Sequence, residues 1–230
     1  MKILLYFISA FCILQKLNAQ TKLQIKQLKV KAIFSYDKTY ENGLVKNDTT
    51  IEVFDSFGNI ISHFTTYLLR DTTSYSYKFD SLGKVIECNN ILANGNLQKY
   101  YTCVYNPDGS YYAIMDQGSI MEERREYNKV GVLVSTFSDM TKSKTIFVLD
   151  SYGNYYKEID SYKDKADRII AFKLSYDSSG RMTKRSAVNP TGSEFLWKYN
   201  EDGLPSEMTW YFNKKNKAKK MVRTKTYNFY

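Results

Sequence analysis

The chain has 230 residues, of which 16% are aromatic (21 Tyr and 13 Phe against 3 Pro), and a formal charge of +9. A single His and the absence of any CxxC or HxxxH spacing argue against a zinc centre, which would need His63 with Cys88 and Cys103. Of the 33 bases, seven lie in residues 211–230 with no acid beside them and two in residues 1–19, leaving 24 bases and 24 acids in residues 20–210. Electrostatic attraction to an acidic partner can therefore come only from the last stretch of chain.

Residues 1–19 read as a cleaved secretory signal: Lys2, an apolar run from Ile3 to Leu14, then Leu17-Asn18-Ala19 before Gln20. The run is too short to span a bilayer, and Ala19 suits signal peptidase. Cys12 lies inside the apolar run, which argues against an acylation site. No other long apolar run follows, so the expectation is a secreted, periplasmic or cell-surface protein that does not span a membrane.

Residues 20–48 form an atypical N-terminal capping unit. Leu28, Val30, Ala32, Phe34 and Tyr36 alternate with polar residues from position 23 onward, which predicts a strand with one buried face. Tyr36-Asp37 begins a degenerate motif whose Gly43 comes late.

Residues 49–230 are built on one pattern: an aromatic residue, Asp or Asn, two free positions, then Gly. The copies are Phe54-Asp55…Gly58, Phe79-Asp80…Gly83, Tyr105-Asn106…Gly109, Tyr127-Asn128…Gly131, Leu149-Asp150…Gly153, Tyr176-Asp177…Gly180 and Tyr199-Asn200…Gly203. Asp or Asn can accept a hydrogen bond from the backbone two residues on, and Gly tolerates positive φ. Together they predict a type I turn closed by a glycine bulge, and Pro107 in the third copy suits that turn's second position.

Two residues before each aromatic stand Glu52, Tyr77, Cys103, Arg125, Phe147, Leu174 and Trp197, on the same face at period two. Two residues after each glycine stand Ile60, Val85, Tyr111, Leu133, Tyr155, Met182 and Pro205, a fixed buried position on the outgoing strand. Looser back turns separate the hairpins. Thr226-Tyr227-Asn228 begins one more motif with no turn after it. The predicted fold is all-β: an antiparallel hairpin meander of about sixteen strands forming a long, twisted and curled sheet with its aromatic residues inside and no helix.

Cys88 and Cys103 flank the back turn Asn94-Gly95-Asn96-Leu97. If Ala93 pairs with Gln98, the two cysteines face each other, and in a secreted protein that placement predicts a disulfide, with two buried thiols as the alternative. His63 has no nucleophile elbow beside it and reads as an ordinary strand residue. No catalytic, metal or cofactor site is assigned. Lys214, Lys215, Lys217, Lys219 and Lys220 cluster on the last back turn just after Trp210. They read either as a solvated tip or as a contact for an anionic glycan or another cell-surface component. The aromatic interleaving of a single-strand channel is missing from the cluster, so no nucleic acid is expected.

Tyr176-Asp177-Ser178-Ser179-Gly180-Arg181-Met182-Thr183 resembles the YD repeat of the RHS and teneurin-like families. The resemblance covers residues 49–230, although only this copy carries the Gly-Arg-apolar continuation. It implies β-hairpin strips that wind into a shell, and in some members carbohydrate binding. The expected function is a secreted, non-catalytic YD-repeat scaffold that binds carbohydrate or protein at the bacterial cell surface. The alternative is an envelope-glycan hydrolase using carboxylates on the sheet.

Overall fold

The computed structural model describes residues 25–230 apart from 42–43, 67–70, 117–121, 164, 190–191 and 214–217. The targeting segment expected at residues 1–19 lies outside these. Sixteen strands run in chain order among the described residues: β1 (Val30–Glu41), β2 (Leu44–Phe54), β3 (Ile60–Thr65), β4 (Asp71–Phe79), β5 (Val85–Ile91), β6 (Leu97–Tyr105), β7 (Tyr111–Asp116), β8 (Glu122–Tyr127), β9 (Leu133–Ser138), β10 (Ser143–Leu149), β11 (Tyr155–Tyr162), β12 (Arg168–Tyr176), β13 (Met182–Ala187), β14 (Glu194–Tyr199), β15 (Pro205–Asn213) and β16 (Ala218–Phe229). Each pairs antiparallel with its chain neighbours, as a hairpin meander should. The strand expected from residue 23 begins later, at Val30, and residues 25–27 form a single helical turn instead.

The expected open, curled sheet is corrected in one respect: it closes into a barrel. β1 and β16, both of 12 residues, pair from Val30↔Phe229 to Thr39↔Met221. The physical reason lies in the two edges. Left open, each would present a row of unpaired N–H and C=O groups, and pairing the two ends removes both rows at once. Across the seam Arg223 grips Asp37 through two bonds, Nε to Oδ1 at 2.6 Å and Nη2 to Oδ2 at 2.5 Å. Tyr230 adds a hydroxyl bond to the Phe54 carbonyl at 2.5 Å.

The seven motif turns share one geometry and one end of the barrel. Their glycines have φ between +74° and +86°. In each, the glycine N–H reaches back to the Asp or Asn carbonyl, as from Gly180 to Asp177 at 3.0 Å. The Asp side chain then accepts two further backbone N–H groups, as Asp177 Oδ1 does from Ser179 at 3.0 Å and Arg181 at 2.9 Å. These bonds, led by the one from the Arg181 backbone, hold the Asp177 carboxyl below its usual range.

A second irregularity follows six of the seven turns. The motif residue pairs with the residue two past the glycine, but its predecessor pairs with the residue four past it, as in Tyr176↔Met182 and Ser175↔Lys184. One residue is skipped, which is a β-bulge, and the inward face shifts from the fourth position after glycine to the fifth. The third copy, with Pro107 in its turn, shows no such shift. This bulge brings His63, Cys88, Glu158, Arg185 and Met208 onto the interior rows, opposite Glu52, Tyr77, Phe147, Leu174 and Trp197 respectively.

Tyrosine hydroxyls join one hairpin to the next. Tyr105 donates to the Val85 carbonyl at 3.1 Å, Tyr199 to Met182 at 2.7 Å, and Tyr227 of the truncated last motif to Pro205 at 2.5 Å. Each acceptor is the residue two past the preceding motif's glycine, just before its bulge. Phe79 has no hydroxyl, and in that hairpin Tyr77 supplies the bond, to Ile60 at 2.6 Å. The motif's preference for tyrosine thus reflects both ring burial and a hydrogen bond between units.

The interior is packed in separate clusters. Ile25, Val30, Ile33, Phe54 and Leu204 pack together at the motif-turn end. Leu133, Phe147 and Tyr155 form a second cluster, and Phe195, Trp197 and Met208 a third.

Candidate functional site

Of the predicted binding residues, Lys214, Lys215 and Lys217 lie outside the described residues. Lys219 and Lys220 belong to the start of β16. The Lys220 ammonium stands 3.7 Å from the Glu41 carboxylate on β1, and Lys46 approaches the same carboxylate at 3.3 Å. The bond from Lys46 and the charge of Lys220 hold Glu41 below the usual carboxylate range. Trp210 is not part of this basic surface, and here the expectation is corrected. Alternation along β15 turns Met208 and Trp210 inward, and the Trp210 ring stacks on Phe195 at 5.8 Å and 6°.

The predicted disulfide is likewise corrected: Cys88 and Cys103 carry thiols. The turn between β5 and β6 falls at Leu92–Asn96, where the Gly95 N–H bonds the Leu92 carbonyl at 2.8 Å. With a register shift at Cys88, that turn pairs Cys88 with Tyr101, while Cys103 pairs with Ala113 on β7. Cys88 is 1% exposed, and burial pushes its thiol up to about 11. His63 lies opposite Glu52 on one side and Thr73 on the other.

Two features stand out chemically. The first is the rim of the motif-turn end. The residue before each motif glycine points outward, and four of the seven are large and apolar: Phe57 (61% exposed), Leu82 (77%), Val130 (69%) and Tyr152 (52%). Phe57 meets Phe79 with centroids 6.3 Å apart, and Tyr152 meets Tyr176 at 4.6 Å. Tyr176 is anchored in turn by a hydrogen bond to Asp150 Oδ2.

The second is inside. Arg185 on β13 is 3% exposed, and its guanidinium lies over three rings: Tyr155 at 4.6 Å, Phe172 at 5.0 Å and Phe195 at 4.6 Å. Trp197 is next, at 5.9 Å. Neither Nε nor Nη2 of Arg185 has a hydrogen-bond partner among the described residues, and the same holds for the indole N–H groups of Trp197 and Trp210. Sequence reasoning missed Arg185 because plain alternation from Gly180 turns Lys184 inward, whereas the bulge exchanges the two.

The outward face mixes exposed apolar residues such as Val104, Ile146 and Phe212 with ion pairs across neighbouring strands: Lys78–Glu87 at 2.7 Å, Lys198–Glu207 at 2.9 Å and Lys184–Glu194 at 2.7 Å. No helix among the described residues is long and apolar enough to cross a membrane.

No family model and no curated protein matches the chain. Among solved structures it is similar to a porin-like protein from Bacteroides uniformis ATCC 8492, with 10% identity and a TM-score of 0.42 over 88% of this chain and 97% of that one. It is also similar to the LolA superfamily protein NE2245 from Nitrosomonas europaea, with 9% identity and a TM-score of 0.32 over 90% and 91% of the two chains. A third similarity, to the Photorhabdus luminescens Tc holotoxin pore, has 9% identity and a TM-score of 0.28 over 79% of this chain and 13% of that one. Likeness at this level carries no argument about function.

Proposed function

We propose that the protein is a non-catalytic barrel of YD-like hairpin repeats, working outside the cytoplasm, that binds carbohydrate or protein at the bacterial cell surface through its motif-turn rim. The observation that carries this reading is the repeated outward placement of Phe57, Leu82, Val130 and Tyr152, each on a turn fixed by the same set of bonds. Large apolar side chains held rigidly in water at one end of a molecule favour a binding face, because little ordering entropy remains to be lost on contact. The turn carboxylates are a poor basis for hydrolysis. Asp55, Asp80, Asp150 and Asp177 each accept two backbone N–H bonds, so their oxygens are engaged in holding the turns.

The paired charges on the outward face favour an aqueous setting. On a lipid-facing strand each Lys or Arg near mid-bilayer would cost about 2–4 kcal/mol. The test is retention of envelope glycans and extracts by the purified protein, compared with the variant Phe57→Ser/Tyr152→Ser. Binding that the variant loses supports the reading. Turnover of polysaccharide or chromogenic glycosides, lost on carboxylate substitution, would replace it with the hydrolase alternative.

A further inference from the structure

We propose that the edge of Arg185 is a receptor for the carboxylate of a small monoanionic ligand that enters the barrel interior. This inference is independent of the rim. It starts from how the chain treats the same edge elsewhere. Arg223 presents Nε and Nη2 to the two carboxylate oxygens of Asp37, Arg125 presents Nε to Glu123 at 2.6 Å, and Arg181 presents Nε to Asp177 at 2.7 Å. Arg185 is as deeply placed as any of them, yet its Nε and Nη2 meet no acceptor among the described residues.

A guanidinium cannot escape burial by losing its proton. The rings of Tyr155, Phe172 and Phe195 offset part of the lost hydration through their faces, but a ring face accepts no in-plane N–H bond. What remains unmatched is a planar two-donor fork, the complement of a carboxylate. Two further unmatched donors lie close by, since Trp197 and Trp210 both stack on Phe195, at 5.9 Å and 5.8 Å, and neither indole N–H is bonded. Among the described residues, therefore, one positive charge and its two-nitrogen edge lie without an acceptor among aromatic rings, with the two indole nitrogens on the flanking ring stack. A single negative charge with two or more acceptor oxygens balances it. A phosphate dianion would leave a net charge buried, which is costly.

The donor atoms are shielded from solvent in the free protein. Ring movement must accordingly precede contact, and association should be slower than for an open site.

The test uses the two tryptophans, which are the only ones in the chain and both belong to the site. Tryptophan fluorescence of the purified protein is titrated with decanoate and with glucuronate, each against its neutral methyl ester. The expected result is a saturable change with at least one acid and none with its ester. Decanoate alone would identify an apolar acid as the ligand type, glucuronate alone an acidic sugar, and either supports the site. Arg185→Lys, which keeps the charge but loses the fork, should bind roughly tenfold more weakly, and Arg185→Met should not bind. If Arg185→Met does not fold, the acid and ester pair on the parent protein and Arg185→Lys decide the matter. No response to either acid up to about 10 mM, an equal response to acid and ester, or undiminished binding by the variants would overturn the proposal.

Discussion

Arg223 on β16 and Arg185 on β13 both face the interior of the barrel, and the two differ in what meets them. At the seam, Arg223 is matched edge-on by Asp37, and the half-buried Lys225, whose pKa desolvation lowers, sits two residues further along the strand. In the β11–β15 wall, Arg185 is matched face-on by aromatic rings and its edge has no acceptor among the described residues. The first arrangement is complete and serves closure. The second leaves donors available, so the same residue type is structural at one place and suited to a ligand at another.

The largest expected effect comes from breaking the complete pair. Asp37→Ala leaves Arg223 as a largely buried charge without its partner, and the loss should be about 3 kcal/mol in denaturant unfolding. Replacing both, as Asp37→Leu/Arg223→Met, should restore much of that loss, because the desolvation cost disappears along with the attraction.

The turns that hold the two walls at one height give the next effect. Gly180→Ala combines a φ of +75° with a new Cβ placed 3.2 Å from Tyr152 Cε1. Gly83→Ala at φ +74° meets nothing within 4 Å. The second should cost about 1 kcal/mol from backbone strain alone, and the first measurably more. Equal losses would show that Tyr152 moves aside freely. Tyr199→Phe, which removes the bond to Met182, should cost about 1 kcal/mol.

The smallest expected change in stability is at Arg185 itself. Arg185→Met exchanges ring contacts for relief from desolvation, and unfolding should shift by under about 1 kcal/mol in either direction. A loss as large as that of Asp37→Ala would mean that the rings compensate Arg185 as fully as a carboxylate compensates Arg223, and the contrast between the two sites would fail.

Alkaline pH should affect the tyrosine framework as a whole. Burial pushes the Tyr105 and Tyr199 hydroxyls up from 10.0 to about 12. These groups are neutral below their pKa. Raising the folded value therefore adds stability that is complete below the unfolded pKa and disappears as pH rises through the folded one. Melting temperature should accordingly hold to about pH 10 and fall between about 10 and 12, with the fall reduced in Tyr199→Phe.

Much of this architecture was legible in the sequence. Aromatic, Asp or Asn, and Gly at fixed offsets marked the seven turns, and period two placed Tyr77, Phe147 and Trp197 on the inner face. Closure was not legible, because nothing local distinguishes a strand that pairs with its neighbour from one that also pairs with a strand at the far end of the chain. The residue skipped after six of the seven turns was equally hidden. It depends on backbone geometry near Gly180, and it exchanges Lys184 for Arg185 without any change of composition. The Cys88 prediction failed for a related reason. The chain turns two residues earlier than Asn94-Gly95-Asn96-Leu97 suggested, which moves Tyr101 opposite the thiol. Trp210 was read with the lysines that follow it, although alternation along β15 gives it to the interior.

Closure of the barrel is the claim on which both arginine environments rest, and residue-resolved amide hydrogen exchange tests it most directly. In an antiparallel sheet, successive N–H groups point to opposite neighbours, so an edge strand leaves every second amide without a partner. Within β1 and β16, over Ala32–Thr39 and Met221–Thr224, a closed barrel protects successive amides alike, because each strand is paired on both sides there. Protection that alternates along both strands, with every second amide exchanging at the rate of an open chain, would show an unpaired edge and contradict the closed barrel.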